Sequence, residues 1–247
     1  MLYKRIIPCL DIIGNNVVKG KKFKKIIKLG KVQKLAKKYY KDGADEIVVL
    51  NISKEKINNF SKVIKKISKE IKIPLTVGGN INSLKDAKII FKSGADRISL
   101  NSSLFKKNLI EKISNRFGSQ STVASIDVKK IKKKWFVYIN GGKTKTNCEV
   151  LYWVKKCVKK GVGEILLTSI NNDGINNGYD IKLIKYIDKN INVPVISSGG
   201  AGTIKNIFEV FKKTKINSVL LASILHKKKE NIKNIKKKLS KNFLIRI

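Results

Sequence analysis

The sequence repeats itself at half its length, and it does so in order. Cys9-Leu10-Asp11 returns as Ser125-Ile126-Asp127, and Gly43-Ala44-Asp45-Glu46 returns as Gly161-Val162-Gly163-Glu164. Pro74-Leu75-Thr76-Val77-Gly78-Gly79 returns as Pro194-Val195-Ile196-Ser197-Ser198-Gly199, and Asn101-Ser102-Ser103-Leu104 as Ala222-Ser223-Ile224-Leu225. Matches in one order at a nearly constant offset mark a duplicated structural unit.

Short apolar runs alternate with longer amphipathic, lysine-rich segments along both copies. The runs predict strands at Arg5–Leu10, Glu46–Leu50, Pro74–Val77, Arg97–Leu100, Thr122–Ile126, Glu164–Thr168, Pro194–Ser197 and Ser218–Leu221. The segments between predict helices at Val32–Lys41, Ile57–Glu70, Leu84–Lys92, Leu104–Arg116, Glu149–Lys160, Ile181–Lys189, Ile204–Lys213 and Lys228–Leu239. Nearly continuous apolar strands separated by helices imply a parallel sheet buried on both faces. Eight such units in 247 residues, against roughly 250 for a closed barrel, predict a single (β/α)8 TIM-barrel domain. Its half-barrels cover approximately 1–120 and 121–247, and no Pro/Gly/Ser-rich linker separates them. An open doubly wound sheet is the alternative.

A formal net charge of +38 suggests a nucleic acid or an anionic membrane as partner. The distribution argues against both. Lysines are spread over nearly every predicted helix, and few aromatic residues interleave with runs such as Lys132–Lys134 and Lys236–Lys238 as stacking platforms would. No apolar run approaches the ~20 residues that span a bilayer. Three cysteines in no paired motif suit reduced thiols and a cytoplasmic location. One histidine, His226, excludes a histidine-built metal site and a histidine triad, and reads as structural.

In a (β/α)8 barrel the active site forms at the C-terminal ends of the strands. Asp11 ends the first predicted strand and Asp127 the fifth. Each alone reads as a turn residue or helix cap. A symmetry-related pair at equivalent strand ends reads as an acid/base pair. Gly-rich turns follow the third and seventh strands, at Gly78-Gly79-Asn80 and Gly199-Gly200-Ala201-Gly202. Small polar turns follow the fourth and eighth, at Asn101-Ser102 and Ala222-Ser223. Glycine lets the backbone approach a phosphate, and N–H groups at a helix start cradle it. Two such constellations imply a ligand carrying a phosphate at each end. The long basic stretch Gly14 to Gly30, with Lys19, is expected to act as a lid. The turn at Asn171-Asn172-Asp173-Gly174 places a third carboxylate at the mouth, or is a plain turn.

With these stretches in hand, the chain resembles the cyclase subunit of imidazole glycerol phosphate synthase. IIPCLDI, VVKG, TVGGNI, GADRISLNS, FGSQ, ASIDVK, GEILLTSI, a DG followed by GYD, and SSGGAG carry the resemblance over essentially the whole chain. It implies a histidine-pathway enzyme, needing no cofactor, that combines phosphoribulosyl-formimino-AICAR phosphate with ammonia from a separate glutaminase subunit. The products would be imidazole glycerol phosphate and AICAR. Asp11 and Asp127 match the family's catalytic pair, and Lys19 its loop lysine. Asn101, Ser102, Asp173, Gly174, Gly200, Ala222 and Ser223 match phosphate-binding positions, with Gly79, Asn80 and Gly199 in the adjoining turns. Thr168 and Ser198 match residues lining the mouth. Arg5, Glu46, Arg97 and Glu164, charges at the starts of strands where a core should be apolar, match a gate for ammonia on the face where the glutaminase docks. Fold physics alone also allows a self-satisfying plug of two cations and two anions.

The chain departs from the family's pattern at three places. Asn51 and Asn171 stand where the family commonly has Asp, and Asn80 where a third Gly is usual. The sister sugar-phosphate isomerase shares the duplicated barrel and aspartate pair and is the nearest alternative. A basic barrel that binds nucleic acid is the alternative of another class.

Overall fold

The structure, a computed structural model, describes residues 2–21, 25–53 and 55–247. Its strands are β1 (Arg5–Ile13), β2 (Asn16–Lys21), β3 (Lys25–Lys31), β4 (Ile47–Asn51), β5 (Leu75–Gly78), β6 (Arg97–Leu100), β7 (Thr122–Ile131), β8 (Lys134–Ile139), β9 (Thr144–Glu149), β10 (Glu164–Ser169), β11 (Val195–Ser198) and β12 (Ser218–Leu221). Its α-helices are α1 (Val32–Lys41), α2 (Ile57–Ser68), α3 (Leu84–Lys92), α4 (Leu109–Phe117), α5 (Val150–Lys159), α6 (Ile181–Asp188), α7 (Ile204–Lys213), α8 (Ser223–His226) and α9 (Ile232–Leu239). Among the described residues the parallel strands run in the order β1-β4-β5-β6-β7, and β10-β11-β12-β1, with β10 also paired to β7. The fold is a (β/α)8 barrel. It packs as two compact units, one of Met1–Ser99 with Leu220–Ile247, the other of Leu100–Val219.

In the first unit β1 buries Ile6, Ile7, Cys9, Leu10 and Ile12, a nearly unbroken apolar run as a doubly covered parallel strand requires. Pro8 lacks an N–H to donate, and the ladder to β4 starts just after it, with Cys9 opposite Val48 and Asp11 opposite Leu50. The strand's start is held by a side chain instead. Asp45 Oδ2 accepts the Ile6 N–H at 2.8 Å, and its Oδ1 accepts from the buried Lys236 ammonium at 2.7 Å. Asp96 repeats the device, accepting the Leu75 N–H at 2.8 Å. Helix α2 buries Phe60, Val63, Ile64 and Ile67, the spacing that gives one apolar face.

The stretch expected to be a lid loop is instead a ribbon of β2 and β3, paired antiparallel, with Val17 and Val18 buried. Adjacent lysines at Lys21-Lys22 and Lys24-Lys25 break the polar/apolar alternation that would mark a strand in the sequence. Residues 22–24 of this stretch lie outside the described residues.

The second unit is built on β7, β10 and β11, with Val123 to Val128 in register with Glu164 to Ser169. The expected helix over Leu104–Arg116 divides. A 3-10 turn covers Ser102–Phe105, and α4 starts after Asn108, whose φ of 56° is left-handed, a conformation Asn tolerates better than most residues. In the first unit, the expected helix over Lys228–Leu239 starts later, at Ile232. Its cap is Asn231, whose side-chain oxygen accepts the Asn234 N–H at 2.8 Å. No helix among the described residues is long and apolar enough to cross a membrane.

Candidate active site

Strand register sets out the second unit's mouth. Asp127 on β7 is opposite Thr168 on β10, and Thr168 is opposite Ser198 on β11. All three are half-buried and follow buried residues. Ser198 ends β11, and Thr168 is one residue short of the end of β10. Asp127 lies near the end of the parallel ladder to β10, beyond which β7 runs on to Ile131 against β8. Three polar side chains thus form one row at the C-terminal edge of parallel strands, where this fold does its chemistry. The corresponding row of the first unit is Asp11, Leu50 and Gly78. It keeps the aspartate and loses the two hydroxyls.

Asn101, expected at a phosphate, reaches Asp127. Its Nδ2 lies 2.9 Å from the Ser125 carbonyl oxygen and 3.2 Å from Asp127 Oδ2. A carbonyl only accepts, so the atom facing it is the amide nitrogen. The amide therefore donates to the carboxylate and orients it. Asp11 has a weaker neighbour, the Cys9 thiol, with Sγ 3.8 Å from Oδ1.

The Gly-rich turns are close-packed for identifiable reasons. A Cβ on Gly79 would fall 2.1 Å from the Asn51 carbonyl oxygen, and one on Gly200 would fall 2.0 Å from that of Gly178. Both glycines have positive φ, so side chains are excluded twice over. Asn80 does take the left-handed conformation, at φ 57°, and its amide donates to the Ser53 carbonyl. Asn51 accepts from Ser53 N at 3.0 Å and Ser53 Oγ at 2.7 Å through Oδ1. Asn171 accepts the Lys130 N–H at 2.8 Å, which ties its loop to β7. In the Asp173-Gly174 turn, Asp173 N donates to Ser169 O at 2.9 Å, and Gly174 has φ 74°.

Ser102 is covered by the tip of the β8–β9 hairpin. Asn140 N donates to Ser102 Oγ at 2.9 Å. The first unit holds Asp11, the half-buried Lys19, Gly79, Asn80, Ala222 and Ser223. The second holds Asp127, Asn101, Ser102, Thr168, Asp173, Gly174, Ser198, Gly199 and Gly200.

Of the four charged residues at strand starts, three meet in the first unit. Glu46 is fully buried. Its Oε2 accepts from Arg5 and Arg97, each at 3.0 Å, and its Oε1 accepts from the Thr76 hydroxyl at 2.6 Å. Paired cations and a hydroxyl are what a buried carboxylate needs. Glu164, also buried, starts β10 in the second unit.

One contact set escaped the sequence reading. His226 Nε2 lies 2.9 Å from the Cys9 carbonyl oxygen, and its Nδ1 lies 2.8 Å from Tyr39 Oη. Burial pushes the imidazole pKa down to about 4, against a smaller opposing effect of the Cys9 carbonyl, and the Lys19 charge pushes the same way as burial. The only legible signal was a lone histidine four residues after Ala222. No group of three or more His, Cys, Asp or Glu among the described residues could hold a metal ion.

The family model described as "Histidine biosynthesis protein" matches residues 5–231. A protein of Bacillus cereus (strain G9842) is 44% identical over 97% of this chain and 96% of its own length. One of Natranaerobius thermophilus is 44% identical over 97% of each chain. One of Prochlorococcus marinus (strain MIT 9515) is 43% identical over all of this chain and 98% of its own. All three bear the name imidazole glycerol phosphate synthase subunit HisF.

Proposed function

Because this chain belongs to the histidine biosynthesis protein family, we propose that it is the cyclase subunit of an imidazole glycerol phosphate synthase. It takes phosphoribulosyl-formimino-AICAR phosphate and ammonia to imidazole glycerol phosphate and AICAR, within one barrel domain made of two repeats. Ammonia adding to a carbonyl must lose protons, the carbonyl oxygen must leave as water, and the departing AICAR amine must gain a proton, so the reaction needs a positioned acid and base. Asp11 and Asp127 take these roles. What carries the reading is their equivalent placement, each the last residue but one in the parallel ladder that β1 forms with β4 and β7 with β10, in a chain matching synthase subunits over nearly its full length. The relatives bear the synthase subunit's name rather than that of the sister isomerase.

The turns at Gly79-Asn80, Asn101-Ser102, Gly199-Gly200 and Ala222-Ser223 bind the substrate's phosphates, and Asp173 and Gly174 contribute to the same task. Thr168 and Ser198 line the mouth and Lys19 approaches the substrate. The name "subunit" on the relatives supports membership of a multi-subunit synthase. We assign the partner as a glutaminase docked near Arg5, Glu46, Arg97 and Glu164, and the complex to the cytoplasm.

The test is turnover of the purified chain on phosphoribulosyl-formimino-AICAR phosphate with added ammonium salt, beside the isomerase's substrate. Release of AICAR only from the first is the expected result. Turnover of the isomerase substrate alone would reverse the assignment.

A further inference from the structure

The repeat brings a second pairing to light. Cys9 and Ser125 are equivalent in the duplicated sequence, each two residues before an aspartate. In the structure each offers its backbone carbonyl to a side-chain nitrogen of its own unit, from Asn101 in the polar turn after β6 and from His226 at the end of α8, the short helix after β12. Ser125 O takes Asn101 Nδ2 at 2.9 Å. Cys9 O takes His226 Nε2 at 2.9 Å. Two chemically different residues thus clamp the same point in the two copies. We propose that His226 is a positioning residue for Asp11, acting through the Cys9 peptide, and that Tyr39 fixes the imidazole tautomer this requires. The inference rests on the reading of Asp11 as an acid/base residue.

The hydrogen-bond chain has one consistent direction. The Cys9 carbonyl carries no proton, so Nε2 must bear the hydrogen. Nδ1 of the neutral ring is then an acceptor, and the Tyr39 hydroxyl, 2.8 Å away, is its donor. Burial keeps the ring neutral at ordinary pH. Cys9 and Tyr39 are both buried, so these bonds are not exchanged freely for water.

Pro8 gives a clamp at this point something to add. Without an N–H, it takes one backbone tie from β1 directly before Cys9, and the ladder to β4 starts only at Cys9. Cys9 and Asp11 share a strand face, and Sγ lies 3.8 Å from Asp11 Oδ1. A shift of the Cys9 peptide therefore reaches the carboxylate by both the backbone and the thiol. Asn101 clamps its carbonyl and touches Asp127 directly. His226 does only the first, so its effect on Asp11 is indirect.

The experiment compares His226→Phe, His226→Gln, Tyr39→Phe and Asp11→Asn in ammonium-driven turnover, with melting temperature as the check on folding. His226→Phe should lower kcat by roughly 10- to 100-fold, the scale of an ångström-sized misplacement, and leave KM for the diphosphorylated substrate within about twofold. His226→Gln keeps an N–H for the Cys9 carbonyl and should recover most of the rate. A purely structural histidine would lower the melting temperature in His226→Phe without this kcat loss, and that result overturns the proposal. An inactive Asp11→Asn beside a normal His226→Phe sinks the clamp alone. A fully active Asp11→Asn sinks the underlying reading. A crystal structure of His226→Phe decides the matter without turnover, since an unmoved Asp11 carboxylate contradicts the proposal. If His226→Phe does not fold, His226→Gln and Tyr39→Phe carry the same comparison.

Discussion

The side-chain amide of Asn101 donates to Asp127 Oδ2 at 3.2 Å while also holding the Ser125 carbonyl. The bond orients the carboxylate but moves no proton. Asp127→Asn should therefore cut kcat by roughly 10²–10⁴, the usual worth of a positioned acid or base. Asn101→Ala should cost only about 10-fold. Steady-state kinetics on both variants check this. A rise in KM with unchanged kcat for Asn101→Ala would leave the residue with its phosphate-binding role alone.

The strands were legible because each is an apolar run that tertiary contacts do not contradict. Arg97–Leu100 and Ser218–Leu221 agree with prediction residue for residue, and α1, α3 and α7 do so as well. The ribbon at β2–β3 was not legible, because closely spaced lysines, some of them adjacent, break the alternation of a strand and resemble a solvated loop. Contacts such as His226 to Cys9 join residues far apart in the chain, and no local pattern encodes them. Asn101 was legible as a site residue, but the sequence could not show which neighbour its amide would meet.

His226 makes folding sensitive to mild acid. Its pKa lies near 4 in the folded protein and near 6.5 in an unfolded chain. Between those values the unfolded chain binds a proton that the folded protein refuses. Stability is therefore fully present above about pH 6.5 and falls as pH drops towards 4, by up to about 3 kcal/mol. Urea unfolding at pH 7 and pH 5 should show a larger loss for the wild type than for His226→Phe. Equal losses would mean that the ring titrates normally.

The cysteines should separate by reactivity. Burial pushes the Cys157 thiol up to about 12, leaving almost no thiolate at pH 8. Cys9 is buried as well, whereas Cys148 is half-buried. A chromogenic disulfide should titrate Cys148 first in the native protein and all three thiols in denaturant. Rapid native modification of Cys157, located by peptide mapping, would contradict this packing.

The charged cluster at the strand starts separates a gate from a plug. Glu46 has no access to water, so removing its carboxylate leaves Arg5 and Arg97 without the partner they share. Those arginine side chains are about a quarter exposed, at 24% and 26%, and can turn to solvent. The reverse change is milder, because Glu46 without Arg5 keeps Arg97 and the Thr76 hydroxyl. Arg5→Ala should therefore fold, at a cost well below the roughly 3–5 kcal/mol of stranding a buried charge. That makes it the variant of choice in the complex with the proposed glutaminase. If ammonia enters past this cluster, Arg5→Ala should lower glutamine-dependent turnover, or release ammonia to solvent, while turnover on ammonium salts persists. A plug that only satisfies its own charges would lose both activities in parallel or neither. The ratio of the two rates, in Arg5→Ala and in Glu164→Ala, decides between them independently of how much either variant is destabilised.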